Sequence, residues 1–160
     1  MVKGRYGRTD KLIKEERHDT YRSRVKFRDG TFCTECDALY EGGRWVWGSI
    51  ATGEIETVCP ACRRIKDRYP AGYIRIKGSF FGENREEIIN LIRNIEGKEK
   101  SSRPLQRIMD ISEEKGSITV TTTGIHIARR IGDALYNSYQ GELDMNYEEG
   151  QKRIRVNWER

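Results

Sequence analysis

The 160-residue chain is 36% hydrophobic and 34% charged, which is polar but leaves enough Ile, Val, Leu and aromatic side chains for a packed core and excludes disorder throughout. No run of 18 apolar residues occurs, and the N-terminal stretch MVKGRYGRTDKLIKEERHD lacks an apolar leader core, so a cytoplasmic protein without a membrane span is expected. The net charge of +5 sits in residues 1–30, where ten Lys/Arg face five Asp/Glu; the other 20 basic and 20 acidic residues cancel.

That basic, glycine-punctuated segment reads as a flexible arm over residues 1–30 that orders on a polyanion, with Arg22, Arg24, Lys26 and Arg28 as its closing cluster. A plain solubilising tail is the alternative. Residues 31–70 follow as a unit holding all four cysteines. Cys33-Thr-Glu-Cys36 and Cys59-Pro-Ala-Cys62 are two C-x2-C pairs with 22 residues between them. In a reducing compartment such pairs are metal ligands rather than disulfides, and two of them close a tetrahedral four-thiolate site. The expected cofactor is one structural Zn2+ on Cys33, Cys36, Cys59 and Cys62, because four thiolates leave no position for a catalytic water. A thiol redox switch or an iron site is the competing reading. Between the pairs, Arg44-Trp-Val-Trp47 and Glu54-Ile-Glu-Thr57 flank Thr52-Gly53 as hairpin strands would, completing a zinc ribbon.

Arg63, Arg64, Lys66 and Arg68 follow the last cysteine. Together with Arg44, Trp45 and Trp47 they offer guanidinium forks for phosphate and planes for stacking unpaired bases, a combination suited to structured RNA. One of the two tryptophans serves equally well as filling for a small core.

Pro70-Ala71-Gly72 is the expected joint to a domain over residues 71–160. Tyr73 to Lys77 alternates as a strand. Asn84 caps a helix whose Ile88, Leu91, Ile92 and Ile95 recur at helical spacing up to Gly97, and Lys98 to Pro104 forms a polar loop. Residues 106–112 and 117–122 make a hairpin about Glu114-Lys115-Gly116. Thr123 caps a second helix bearing Ile127, Ile131, Ala134 and Leu135 on one face. Residues 142–147 and 153–158 close the chain as another hairpin. The order β-α-β-β-α-β plus one strand predicts an α+β fold, ferredoxin-like with an extra edge strand. Ile74, Ile76, Ile118, Val120, Leu143, Met145, Ile154 and Val156 should face the helices. Arg75, Lys77, Thr119, Thr121, Arg153 and Arg155 should form an open, polar and basic face.

With two histidines and no Ser/His/Asp grouping, glycine-rich phosphate loop or HExxH motif, nothing assembles a reaction centre, and no enzyme is expected. His126 near Thr121, Thr122 and Thr123 at a helix N-terminus offers a place for phosphate, although strand and cap roles account for these threonines.

The run from Cys33 to Cys62, Arg63 to Gly72, Asn90-Leu-Ile-Arg-Asn94, Thr121 to His126, Ala128 to Gly132 and Arg155-Val-Asn-Trp158 resembles a family of small bacterial zinc-ribbon proteins associated with low-oxygen-induced gene clusters. More distantly, the ribbon followed by an α/β domain is similar to the amino-terminal part of the large-ribosomal-subunit export adapter of eukaryotes and its archaeal counterparts. The resemblance implies a ribosome-associated protein, a stress or dormancy (hibernation) factor whose partner is the ribosome or ribosomal RNA. The residues themselves ask only for a polyanionic partner. A DNA-associated regulator and a zinc- or redox-responsive sensor are the other classes compatible with them.

Overall fold

Thr31–Cys33 (β1) is the first strand in the computed structural model, which describes residues 27–48, 54–148, 150 and 152–160. Arg22, Arg24, Lys26 and the expected turn at Thr52-Gly53 lie outside these residues. β1 pairs antiparallel with Ala38–Glu41 (β2), which pairs antiparallel with Arg44–Trp47 (β3) across Gly42 and Gly43. Both glycines have positive φ, +61° and +82°, which residues with a Cβ rarely adopt. Ile55–Thr57 (β4) pairs in parallel with β1. The expected hairpin between β3 and β4 is therefore corrected: the tight turn at Gly42-Gly43 recruits β2 as the partner of β3, and β4 returns to the far edge of a β3-β2-β1-β4 sheet. Pro60–Asp67 (α1) follows directly and ends at Arg68 in left-handed conformation.

The second unit contains Gly72–Lys77 (β5), Ser79–Glu83 (α2), Arg85–Ser102 (α3), Ile108–Glu114 (β6), Ser117–Thr122 (β7), Ile125–Tyr139 (α4), Glu142–Glu148 (β8) and Arg153–Glu159 (β9). The expected succession of strands and helices is present. The additional elements are the short α2 and one more turn on α3, whose residues 98–102 were expected in a loop. Lys98, Glu99 and Lys100 favour helix, and Gly97 costs only about 1 kcal/mol within one. Buried Glu99, paired with His126 and Arg130 at 3.0 Å each, holds the extra turn until Pro104 forbids another. Asn84 forms no side-chain cap, its amide donating instead to the Phe80 carbonyl at 2.9 Å. Gly124, not Thr123, is the N-cap of α4.

Sheet order in this unit is β6-β7-β5-β9-β8. The strand appended last in sequence is thus not the one at the edge. β9 inserts between β5 and β8, parallel to β5, and β8 becomes the edge. Burial explains the exchange. On β9, Ile154, Val156 and Trp158 are each at most 1% exposed, worth about 1.5–3 kcal/mol apiece. β8 buries Leu143 and Met145 only partly and carries Glu142, Asp144 and Glu148 outward. An interior place rewards the apolar strand, and charges protect an edge. Ile74, Ile76, Phe81, Ile88, Ile92, Ile118, Val120, Ile127, Ile131 and Leu135 complete the core under the helices.

The opposite face of the sheet is mixed in charge rather than basic. Arg75, Lys77, Arg153 and Arg155 occupy the central strands, but register brings Asp144 and Glu148 of β8, and Asp110 and Glu114 of β6, to the same face. Arg155 is bound by Glu148 at 3.0 Å and Lys77 by Glu159 at 3.6 Å. The sequence pattern assigned faces within each strand correctly, but the neighbours flanking the central strands depend on the sheet order.

Candidate metal centre

β1 ends in Cys33, the turn before β2 carries Cys36, and Cys59 and Cys62 open α1. The second pair lies on a helix N-terminus, with Cys59 as N-cap and Pro60 in the first turn, where its missing N–H costs nothing. The Cys59 Sγ accepts the Cys62 N–H at 3.4 Å. Cys33 Sγ accepts the N–H of Cys59 at 3.2 Å and of Glu35 at 3.4 Å. The positive end of the helix dipole and these amides favour thiolates over thiols.

The four Sγ atoms all lie within 4.8 Å of one another. Cys36 and Cys59 Sγ are 3.8 Å apart, matching the edge of about 3.8 Å in a tetrahedron with metal–sulfur bonds of about 2.3 Å. Cys33, Cys59 and Cys62 are buried and Cys36 is partly covered. Donor chemistry, spacing and enclosure therefore fit a metal ion held by four sulfurs; when bound, such an ion supplies the charge that keeps all four deprotonated. Left to themselves the sulfurs share protons unequally. The Cys59 thiol, by hydrogen bonding, holds Cys36 down to about 4 against its own burial. Cys59 is pushed up by that same bond and by burial, and Cys62 is pushed up by burial.

A fifth residue meets the sulfurs. Arg107, 8% exposed, reaches in from the segment between α3 and β6. Its Nη1 donates to Cys62 Sγ at 3.2 Å and its Nη2 to Cys36 Sγ at 3.1 Å and Cys59 Sγ at 3.6 Å. Burial would lower its pKa, but the surrounding sulfurs outweigh that and raise it. Sequence reasoning missed this residue, which lies 45 positions or more from any of the three cysteines it contacts. Only the packing of the second unit against the first brings it there.

The residues expected at an RNA surface fall into groups. Arg28, Arg44, Arg63, Lys66 and Arg68 are exposed. Lys66 is engaged by Glu35 at 2.6 Å. Arg64 is 4% exposed and donates to the Tyr69 carbonyl at 3.1 Å. It packs inward because its position on α1 lies on the buried side with Ala61. Trp45 is a core residue, 9% exposed, edge-on to Phe27 and Tyr40 at 5.2 and 5.5 Å. Trp47 is 36% exposed; its Nε1 donates to the Lys100 carbonyl at 2.6 Å and its ring lies 5.8 Å from the Arg107 guanidinium. Near His126, the Thr123 hydroxyl donates to the Leu105 carbonyl and the Thr122 hydroxyl to the Gly124 carbonyl, while His126 itself faces Glu99. Thr122, Thr123 and His126 are thus engaged within the fold.

No family model, curated protein or solved structure matches the chain. The resemblances carried by the motifs gain no support from these comparisons. No helix among the described residues is long and apolar enough to cross a membrane.

Proposed function

We propose that the protein is a non-enzymatic zinc-binding protein that docks on structured RNA, with the ribosome as the intended partner and a stress or dormancy role. The observation that carries the zinc reading is the closed four-sulfur shell, every sulfur of which also accepts an N–H. A filled shell leaves no coordination site for substrate, so the ion's role is structural. The nucleic-acid reading rests on what adjoins the shell. Arg63 and Arg68 are exposed on or just after α1, Arg44 is exposed on the same unit, and the arm, Arg28 included, adds its charge of +5. Cations on a small, metal-stiffened unit suit a phosphate backbone.

The test is co-sedimentation with 30S, 50S and 70S particles at several salt concentrations, with a DNA duplex as competitor. Replacing Arg63 and Arg68 by Gln should flatten the log-log salt slope by up to about 1.4, since each phosphate neutralised on a single strand contributes about 0.7. Deleting residues 1–26, which spares Phe27 and its packing on Trp45, should weaken binding without disturbing the metal. Binding that ignores salt, or absence of binding to any ribosomal particle or RNA at low salt, rejects the RNA reading; preference for the duplex favours a DNA regulator.

A thiol sensor is the second reading. It is favoured by Cys36, the least covered of the four sulfurs. Anaerobic thiol titration beside metal analysis separates it from a purely structural centre.

A further inference from the structure

We propose that Arg107 is the counter-cation of the metal centre, a positioning residue that holds the thiolate shell by N–H···S bonds and ties the β5–β9 unit to it. This rests on the four-thiolate reading above. The guanidinium's position is costly. Arg107 is buried, and among the described residues no carboxylate pairs with it. A buried cation without a counter-charge is strongly unfavourable. Among the described residues its Nη atoms hydrogen-bond only to sulfur, at 3.1 to 3.6 Å from Cys36, Cys62 and Cys59. Neutral thiols are weak acceptors and would leave the charge uncompensated. Four thiolates about a divalent ion carry surplus negative charge, which a guanidinium placed against three of them offsets.

The surroundings fix the side chain for this task. Arg107 Nε donates to the Pro104 carbonyl at 2.7 Å and its backbone N–H to the Thr123 hydroxyl at 2.9 Å. Trp47 of β3 lies over the guanidinium at 5.8 Å and is itself pinned to Lys100 of α3. Both units therefore clamp the same cation, and Leu105 packs against the cysteine cluster beside it. A residue that orients ligands from outside the coordination shell is worth about 10- to 100-fold in metal affinity, and N–H···S bonding also lowers the electron donation of each sulfur.

The experiment uses the full chain loaded with Zn2+ or Co2+, as wild type, Arg107→Met and Arg107→Lys. Elemental analysis of the wild type checks the metal itself; absence of stoichiometric metal would reject the underlying reading. With metal bound, Arg107→Met should transfer zinc to a chromogenic chelator about 10-fold faster or more, and its sulfur-to-cobalt charge-transfer band should move to longer wavelength. Arg107→Lys, which keeps the charge but not the fork, should fall between. If Arg107→Met does not fold, Arg107→Lys alone decides. Metal-loaded variants with wild-type release rates and cobalt spectra would overturn the role assigned to Arg107 while leaving the metal centre intact.

Discussion

Cys59 shows how much one side chain does in the smaller unit. It is a sulfur of the cluster, the N-cap of α1 and a fully buried member of the local core. Cys59→Ser should abolish stoichiometric zinc and unfold the unit, because metal binding and folding in such modules are one equilibrium worth about 10–16 kcal/mol in model peptides. Elemental analysis together with the tryptophan fluorescence of Trp45 reads both losses. The two alternating tryptophans divide sharply. Trp45→Ala should cost about 3–5 kcal/mol of stability as a cavity mutation. Trp47→Ala, on the surface, removes one hydrogen bond worth about 0.5–1.5 kcal/mol and the cover of Arg107. Denaturant midpoints of the two variants distinguish these roles, and equal losses would contradict them.

At the level of elements, α3 and β9 carry the main differences from local expectation. Gly97 sits on the exposed side of α3, and a Cβ built there meets nothing within 4 Å. Gly97→Ala should therefore raise stability by about 0.5–1 kcal/mol, measurable as a shift in the urea midpoint at constant slope. β9 makes the opposite case. It is hydrogen-bonded on both sides, to β5 and to β8. Deleting residues 153–160 should abolish cooperative folding of the second unit, because it strips β5 of a partner, detaches β8 and removes Ile154, Val156 and Trp158 from the core. A truly appended edge strand could be lost with far less effect; retention of a sharp thermal transition in this truncation would contradict the interior placement.

At the scale of the molecule, two apolar clusters of the described residues meet at a polar joint. One is built on the cysteines and Trp45, the other on the β5–β9 sheet with its helices. Between them stand Arg107, the bond from Trp47 to Lys100, and Leu105. Chelation of the metal should melt the first cluster while the fragment over residues 71–160 keeps its own cooperative transition at a lowered Tm, since it loses only the joint. Calorimetry of the full chain with and without chelator, and of the fragment, checks this; a fragment without a transition would mean that the cores depend on each other. Much of this architecture was legible in the chain itself. The two C-x2-C pairs announce their sulfurs because spacing on a turn or helix start is a local property, and the alternation on β5, β7 and β9 names their buried faces for the same reason. The tertiary structure alone decided that β9 displaces β8 from the interior, that Arg64 and Trp45 turn inward, that acidic edge strands flank the basic centre of the sheet, and that Arg107 reaches the sulfurs. Those outcomes depend on which surfaces bury the most apolar area and where a buried charge finds its counter-charge, and no spacing along one strand or helix records either.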